Sequence, residues 1–367
     1  MIDYLLYKEK SINGRYINAD IIQPCFSKLP FPLIHIGNSV DGIEINAFKL
    51  GSGQKKILMW SQMHGNESTT TKAVWDMVNF LQSENPLATQ ILKECNLLIV
   101  PMLNPDGANL YTRENINKVD LNRDAKNLSQ PESIALRNLF KSFQPNFCFN
   151  LHDQRTLFSA GNTDKSATIS FLSPSSNKAR DITPAREVAM KLIVGMNKML
   201  QKHIPGQVGR YDDGFNDNCI GDTFQMLGVP TILFESGHYP KDYEREKTRE
   251  YIFLSMLEAL KIIAEDKIDM YSTGDYFSIP GNQKLFFDVI IENPELVNPE
   301  IEQGQKIGIR YKEVLDVDKV IFTPEIVEIG ALDRFYAHKT IVCVDTKDFG
   351  FNSAEIKLLD LLLKTKN

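Results

Sequence analysis

The stretch Lys55-Lys56-Ile57-Leu58-Met59-Trp60-Ser61-Gln62-Met63-His64-Gly65-Asn66-Glu67 is a short apolar run that ends abruptly in a polar cluster opened by a histidine. A continuous apolar run without alternation is expected of a strand buried on both faces. The pattern recurs. Residues 96–103 (NLLIVPML) lead into Asn104-Pro105-Asp106-Gly107, residues 146–151 (NFCFNL) into His152-Asp153, and residues 230–234 (PTILF) into Glu235-Ser236-Gly237. Helical stretches fall between and around these runs, at about residues 70–82, 130–143, 185–202 and 243–265. Strands alternating with helices predict an α/β layer structure, a mixed and mostly parallel sheet with helices on both faces.

Composition bounds the class. A length of 367 residues exceeds one average domain, and 43% hydrophobic with 24% charged residues is ordinary for a globular protein. Beyond Asp266 the texture changes to extended segments (KLFFDVIIE, QKIGIRYK, DKVIFTPEIVEIG, KTIVCVD) separated by Gly, Pro and Asn. This predicts a first domain over residues 1–268 and a small β-rich domain over residues 269–367, closed by a helix near residues 353–364. A net charge of −6 without a basic stripe argues against nucleic acid. The first residues lack a basic-then-apolar signal, and no apolar run reaches about 18 residues, so no membrane partner and a cytoplasmic location are expected. The five cysteines are odd in number and show no CxxC spacing, which disfavours a disulfide framework or a cysteine metal site. Cys95, Cys148 and Cys343 read as small buried hydrophobes.

In open α/β sheets ligands bind at the carboxyl ends of the strands, so the four polar clusters are predicted to converge on one crevice. They bring His64, Glu67, His152 and Glu235 to one place. Zinc accepts imidazole nitrogen and carboxylate oxygen, and a catalytic site uses three protein ligands and leaves a fourth position open. Taken singly, each residue has a plainer reading: HxxE occurs on surface helices, and a lone histidine can be a hydrogen-bonded core residue. Glu235 after an apolar run resists that reading, because an unpaired buried carboxylate is costly.

In order, His64-Gly65-Asn66-Glu67, Asn104-Pro105-Asp106-Gly107, Arg113 with Val119-Asp120-Leu121-Asn122-Arg123, Asn150-Leu151-His152 and Phe234-Glu235 resemble the zinc carboxypeptidase family of the carboxypeptidase A type. The resemblance spans roughly residues 36–251 and implies the fold of those enzymes. It implies one zinc ion per chain on His64, Glu67 and His152, with a zinc-bound water activated by Glu235. Arg113 would then polarise the scissile carbonyl, while Asn122 and Arg123 would grip the terminal carboxylate of a peptide. Tyr211 matches the mobile-loop tyrosine of the family. Asn66 and Asp124 depart from the family pattern, where Arg and Asn are common, and both changes touch the substrate side. The residue that sets side-chain preference falls near Ile220 or Gly221, with Asp222 beside them.

The expected activity is a metallocarboxypeptidase acting on a C-terminal peptide bond or a cell-wall-peptide amide, on a substrate with a free carboxylate. The HGNE and DLNR motifs also resemble the aspartoacylase and succinylglutamate desuccinylase branch, which makes an acyl-amino-acid substrate the alternative. A non-catalytic binding module is disfavoured because all five chemical groups are present. A serine hydrolase is disfavoured because no G-x-S-x-G elbow occurs. Oligomeric state is not legible.

Overall fold

A computed structural model describes residues 2–343 of the chain, so the helix expected near residues 353–364 lies outside the described residues. Among the described residues fourteen strands form: β1 (Ile34–Asn38), β2 (Glu44–Leu50), β3 (Lys55–Ser61), β4 (Cys95–Val100), β5 (Phe147–Asp153), β6 (Ser159–Ala160), β7 (Ile169–Leu172), β8 (Val208–Arg210), β9 (Thr231–Ser236), β10 (Asn282–Gln283), β11 (Phe286–Glu292), β12 (Lys306–Asp316), β13 (Lys319–Gly330) and β14 (Tyr336–Val342). The helices are α1 (Ala19–Ser27), α2 (Thr69–Leu81), α3 (Pro86–Glu94), α4 (Pro105–Leu110), α5 (Pro131–Phe143), α6 (Pro184–Leu200), α7 (Ile220–Met226), α8 (Glu246–Ala264) and α9 (Thr273–Phe277).

The main sheet has eight strands in the order β1-β2-β4-β3-β5-β9-β7-β8. Its centre, β4-β3-β5-β9, is parallel, and antiparallel pairings join β2 to β4 and β7 to β9. Alternation explains the apolar runs. Along β3, Ile57 and Met59 enter one core with α2, α6 and α8, while Leu58 and Trp60 enter a second core with α5 and α7. Both faces are covered, so every position must be apolar. Helix starts carry matching chemistry: Asn85, Asn104 and Thr183 cap α3, α4 and α6, each followed by proline at the first helical position. No helix among the described residues is long and apolar enough to cross a membrane.

The later strands form a separate four-stranded sheet, β13-β12-β11-β14, with its own buried residues Val289, Ile291, Ile307 and Ile309. A short β6–β10 pairing and hydrogen bonds from the first residues of the chain connect it to the larger sheet's surroundings. The segment from Tyr4 to Gly14 is strapped onto α2 and α8. Arg249 donates to both oxygens of Asp76, at 2.7 and 2.6 Å, and to the carbonyls of Glu9 and Ile12. Tyr4 and the Glu9 backbone N–H complete the shell of the Asp76 carboxylate.

Candidate active site

The site is built by strand ends and two interlocked turns. β3 stops at Ser61, two residues before the apolar run does, because Gln62 takes a left-handed conformation (φ 48°). The chain then turns under α4. A Cβ on Gly65 would lie 1.9 Å from the Gly107 carbonyl carbon, so only glycine lets the two turns touch. Asn104 locks the contact: its side chain donates to the Met63 carbonyl and accepts from the Gly107 N–H. The Asn-Pro-Asp-Gly motif is thus the bracket that holds the His64 turn.

On the neighbouring strands, His152 and Glu235 are direct partners across the β5–β9 ladder. Paired positions share a face of the sheet, so one register places both side chains on the same side. His64 Nδ1 lies 2.8 Å from Glu67 Oε1, His152 Nδ1 lies 2.7 Å from Glu67 Oε2, and the two Nδ1 atoms are 3.1 Å apart. His64, Glu67 and His152 are all buried, and their ligand atoms lie within 4.8 Å of one another. His64 Nε2 meets Asp120 Oδ1 at 3.0 Å, which places the proton on Nε2 and leaves a lone pair on Nδ1. Two imidazole nitrogens and a carboxylate therefore converge with too few protons to satisfy them, a donor set suited to a divalent cation.

Charge surrounds this cluster. Burial pushes the Glu67 carboxyl up, but the His64 and His152 rings outweigh it and hold the group well below its usual range. Glu235 behaves oppositely: burial, then the charges of Glu67 and Asp153, push it well above the usual carboxylate range. Its Oε2 is buried with no hydrogen-bond partner among the described residues. A cation among the three donors would draw that proton off. Arg113 donates to Glu67 Oε1 at 3.2 Å and to Asp120 Oδ2 at 3.1 Å, with its side chain 42% exposed.

The sequence-predicted residues line one cavity of about 820 Å³: His64, Glu67, His152 and Glu235 beside Arg113, Asn122, Arg123 and Tyr211. Asn122 Oδ1 accepts the Ile220 N–H at the start of α7, which fixes the Asn122–Arg123 pair against that helix. Arg123 spends Nη1 on the Asn122 carbonyl and makes no ion pair with a described residue. Tyr211 lines the same cavity as Glu235, and its hydroxyl is raised by burial and by the charges of Glu235 and Glu67. Asp222 also lines the cavity, and burial pushes it up to about 6.

Sequence reasoning missed part of the wall. Arg15, Arg245, Asp288, Arg310 and Glu313 all line the cavity. Arg15 is buried and pairs with Glu313 at 3.0 Å, and Tyr111 donates to the same oxygen at 2.5 Å. Nothing local in the sequence marks these residues. Asp120 did stand inside a quoted motif, and its bond to His64 is what the geometry adds.

A sequence model described as zinc carboxypeptidase matches residues 31–124. Carboxypeptidase 2 of Trichophyton rubrum is 26% identical over 133 residues, 36% of this chain and 23% of its own length. Mouse carboxypeptidase D is 22% identical over 349 residues, covering 76% of this chain and 25% of its own length. The chain thus spans about a quarter of the length of the curated relatives it matches. Among solved structures, the carboxypeptidase A of Helicoverpa armigera has a TM-score of 0.53 at 16% identity, covering 71% of this chain and 77% of that one. A metallo-carboxypeptidase from Burkholderia cenocepacia has a TM-score of 0.51 at 17% identity, covering 66% and 67%. The chain shares their fold.

Proposed function

From the premise that the chain is related to the zinc carboxypeptidases, we propose that it is a zinc-dependent metallocarboxypeptidase, a hydrolase that removes a C-terminal residue from a peptide substrate. The observation that carries the reading is the Glu235 carboxyl, whose Oε2 has no partner among the described residues, sharing a cleft with three convergent donors, His64, Glu67 and His152, and with Arg123, which makes no ion pair with a described residue. These three residues would hold one zinc, which supplies Lewis acidity that makes water a nucleophile near neutral pH.

The remaining roles belong to side chains of the chain itself. Glu235 takes the proton of the attacking water and hands it to the leaving amine, a shuttle suited to a buried carboxylate. Arg113 is held by Glu67 and Asp120 through Nη1 and Nε, and its Nη2 makes no bond to a described residue, so it can face the developing oxyanion. Arg123, with Asn122, meets the terminal carboxylate through a planar guanidinium, which confers exopeptidase selectivity. Tyr211 closes the same pocket.

The division at residue 268, with residues 269–367 as an added unit, is part of this proposal, as is a cytoplasmic setting. The test combines metal analysis with a substrate panel of free peptides, cell-wall peptides and N-acyl amino acids. About one zinc per chain and C-terminal trimming of free peptides are expected. Protein that cannot be loaded with zinc would overturn the reading, and exclusive cleavage of N-acyl amino acids would move it to a deacylase.

A further inference from the structure

The wall that the second sheet forms together with the loop after β5 and the segment between β10 and β11 carries a charge pattern that the hydrolytic chemistry does not use. Arg155, Lys284 and Arg310 line the same cavity as the catalytic cluster, and none makes an ion pair with a described residue. Arg310 lies over the Phe287 ring at 5.3 Å, and its Nε is buried without a hydrogen-bond partner. Arg155 and Lys284 are exposed. The carboxylates of this wall are mostly engaged. Glu313 is held by Arg15 and Tyr111, and Glu325 lies 3.7 Å from Lys312. Asp288 accepts from Thr156, Tyr243 and the Tyr311 N–H. Asp212, exposed and bonded to the Gly214 N–H, and Asp288, whose donors are all neutral, are the carboxylates of this wall that make no ion pair with a described residue, against the three cations Arg155, Lys284 and Arg310.

The pattern continues outward. A neighbouring groove of about 620 Å³ shares Phe158, Tyr211, Asp212 and Lys284 with the cleft. It adds Arg334, which lies over the Phe335 ring at 5.0 Å and makes no ion pair with a described residue. Unpaired cations in a concave, partly apolar wall focus a positive potential that neutralised pairs cannot cancel. They are distinct from Arg123, to which the terminal carboxylate is assigned, so they would meet parts of a substrate on the other side of the scissile bond.

We propose that the second sheet gives the cleft an anion-recognising wall and that the favoured substrate is an acidic peptide, with carboxylate side chains preceding its C-terminal residue. Guanidinium groups over aromatic rings are pre-organised for carboxylates, and Tyr311 and Phe322 in the same wall offer surface to the peptide's aliphatic stems. The inference rests on the metallocarboxypeptidase reading for the direction in which the substrate lies. The anion wall itself can be measured without turnover.

Two N-terminally labelled peptides with the same C-terminal residue, one bearing glutamates upstream and the other glutamines, are titrated by fluorescence anisotropy into zinc-loaded Glu235→Gln protein at low salt. The acidic peptide should bind about ten-fold or more tightly, and the ratio should shrink as salt is added. In Arg310→Gln/Lys284→Gln protein the ratio should fall towards one. Lys284→Glu, at an exposed position, should lower the ratio even if the double variant fails to fold. Equal affinities, an acid preference that survives these substitutions, or no binding of either peptide at millimolar concentration would overturn the proposal. Hydrolysis of both peptides by wild type without an acid preference in rate or affinity would sink the anion wall and leave the peptidase reading standing. An acid preference in binding with no peptide hydrolysis by the wild type would do the reverse.

Discussion

On the reading proposed above, Glu235 concentrates the chemistry of the site in one atom: its Oε2 is buried with no partner among the described residues, a costly arrangement for a group without a task. Glu235→Gln keeps the shape and removes the proton shuttle, so zinc content should persist while kcat falls by about 10²–10⁴. Turnover within a few-fold of wild type would assign the base elsewhere. Arg113 and Arg123 make a contrasting pair. Arg123 has no carboxylate among the described residues, whereas Arg113 is already held by two. Arg123→Ala should therefore act mainly on KM, and amidating the peptide's C-terminus should slow the wild type far more than this variant. The exopeptidase assignment is falsified if wild type cleaves amidated and free peptides equally well.

At the scale of elements, two helices owe their position to a buried ion pair rather than to apolar contact alone. Arg249 on α8 and Asp76 on α2 are both fully buried, and their side chains also hold the segment that precedes α1. Removing one member of such a pair leaves an uncompensated charge, so Arg249→Ala should destabilise the fold by about 3–5 kcal/mol in urea unfolding. A loss below about 1 kcal/mol would show that water reaches Asp76 readily. Glu9 and Glu246 belong to the same strap. Burial raises both, yet hydrogen bonds from Ser11, Lys28 and Asn79 bring Glu9 to about 2, and Lys72, Lys8 and Arg249 bring Glu246 to about 2. Depressed carboxyls stabilise the fold above their unfolded value of 4.5, and that contribution is lost as pH falls from 4.5 towards 2. Asp222, pushed up to about 6 by burial, works the other way between its reference of 3.8 and 6, where protonation favours the folded chain. Urea midpoints should thus hold or rise slightly down to about pH 4.5 and drop below it. A midpoint unchanged down to pH 2.5 would remove the strap from the account.

Across the whole molecule, what could be read in advance was what repeats locally. The four apolar runs became β3, β4, β5 and β9, but only three of the clusters that follow reach the cavity, through His64, Asn66 and Glu67, through His152 and Asp153, and through Glu235. Asn104–Gly107 after β4 does not line it, because its side chains are spent on bracketing the His64 turn and on Ser39 and Asp41. His152 and Glu235 each follow directly on an apolar run, and the structure adds that they lie inside β5 and β9 as a cross-strand pair, a register the sequence does not state. The β1–β2 hairpin escaped notice because its strands are only partly covered, so their apolar pattern is diluted, and α1 carries an internal Pro24 that masks its periodicity. Arg15 and Glu313 could not be read at all. Each is an ordinary charge in its own segment, and only the folded chain reveals that one answers the other.

That pairing also imposes an order in time. Arg15 leaves the ribosome 298 residues ahead of Glu313, which at about 5–20 residues per second is a wait of roughly 15–60 s. Until Glu313 emerges, the arginine lacks its ion-pair partner and the wall beside His64, Glu67 and His152 is unfinished. Closure of the cleft is therefore clocked by synthesis of the second sheet: its last wall arrives with β12 and β13, long after the donors it stands beside have been made.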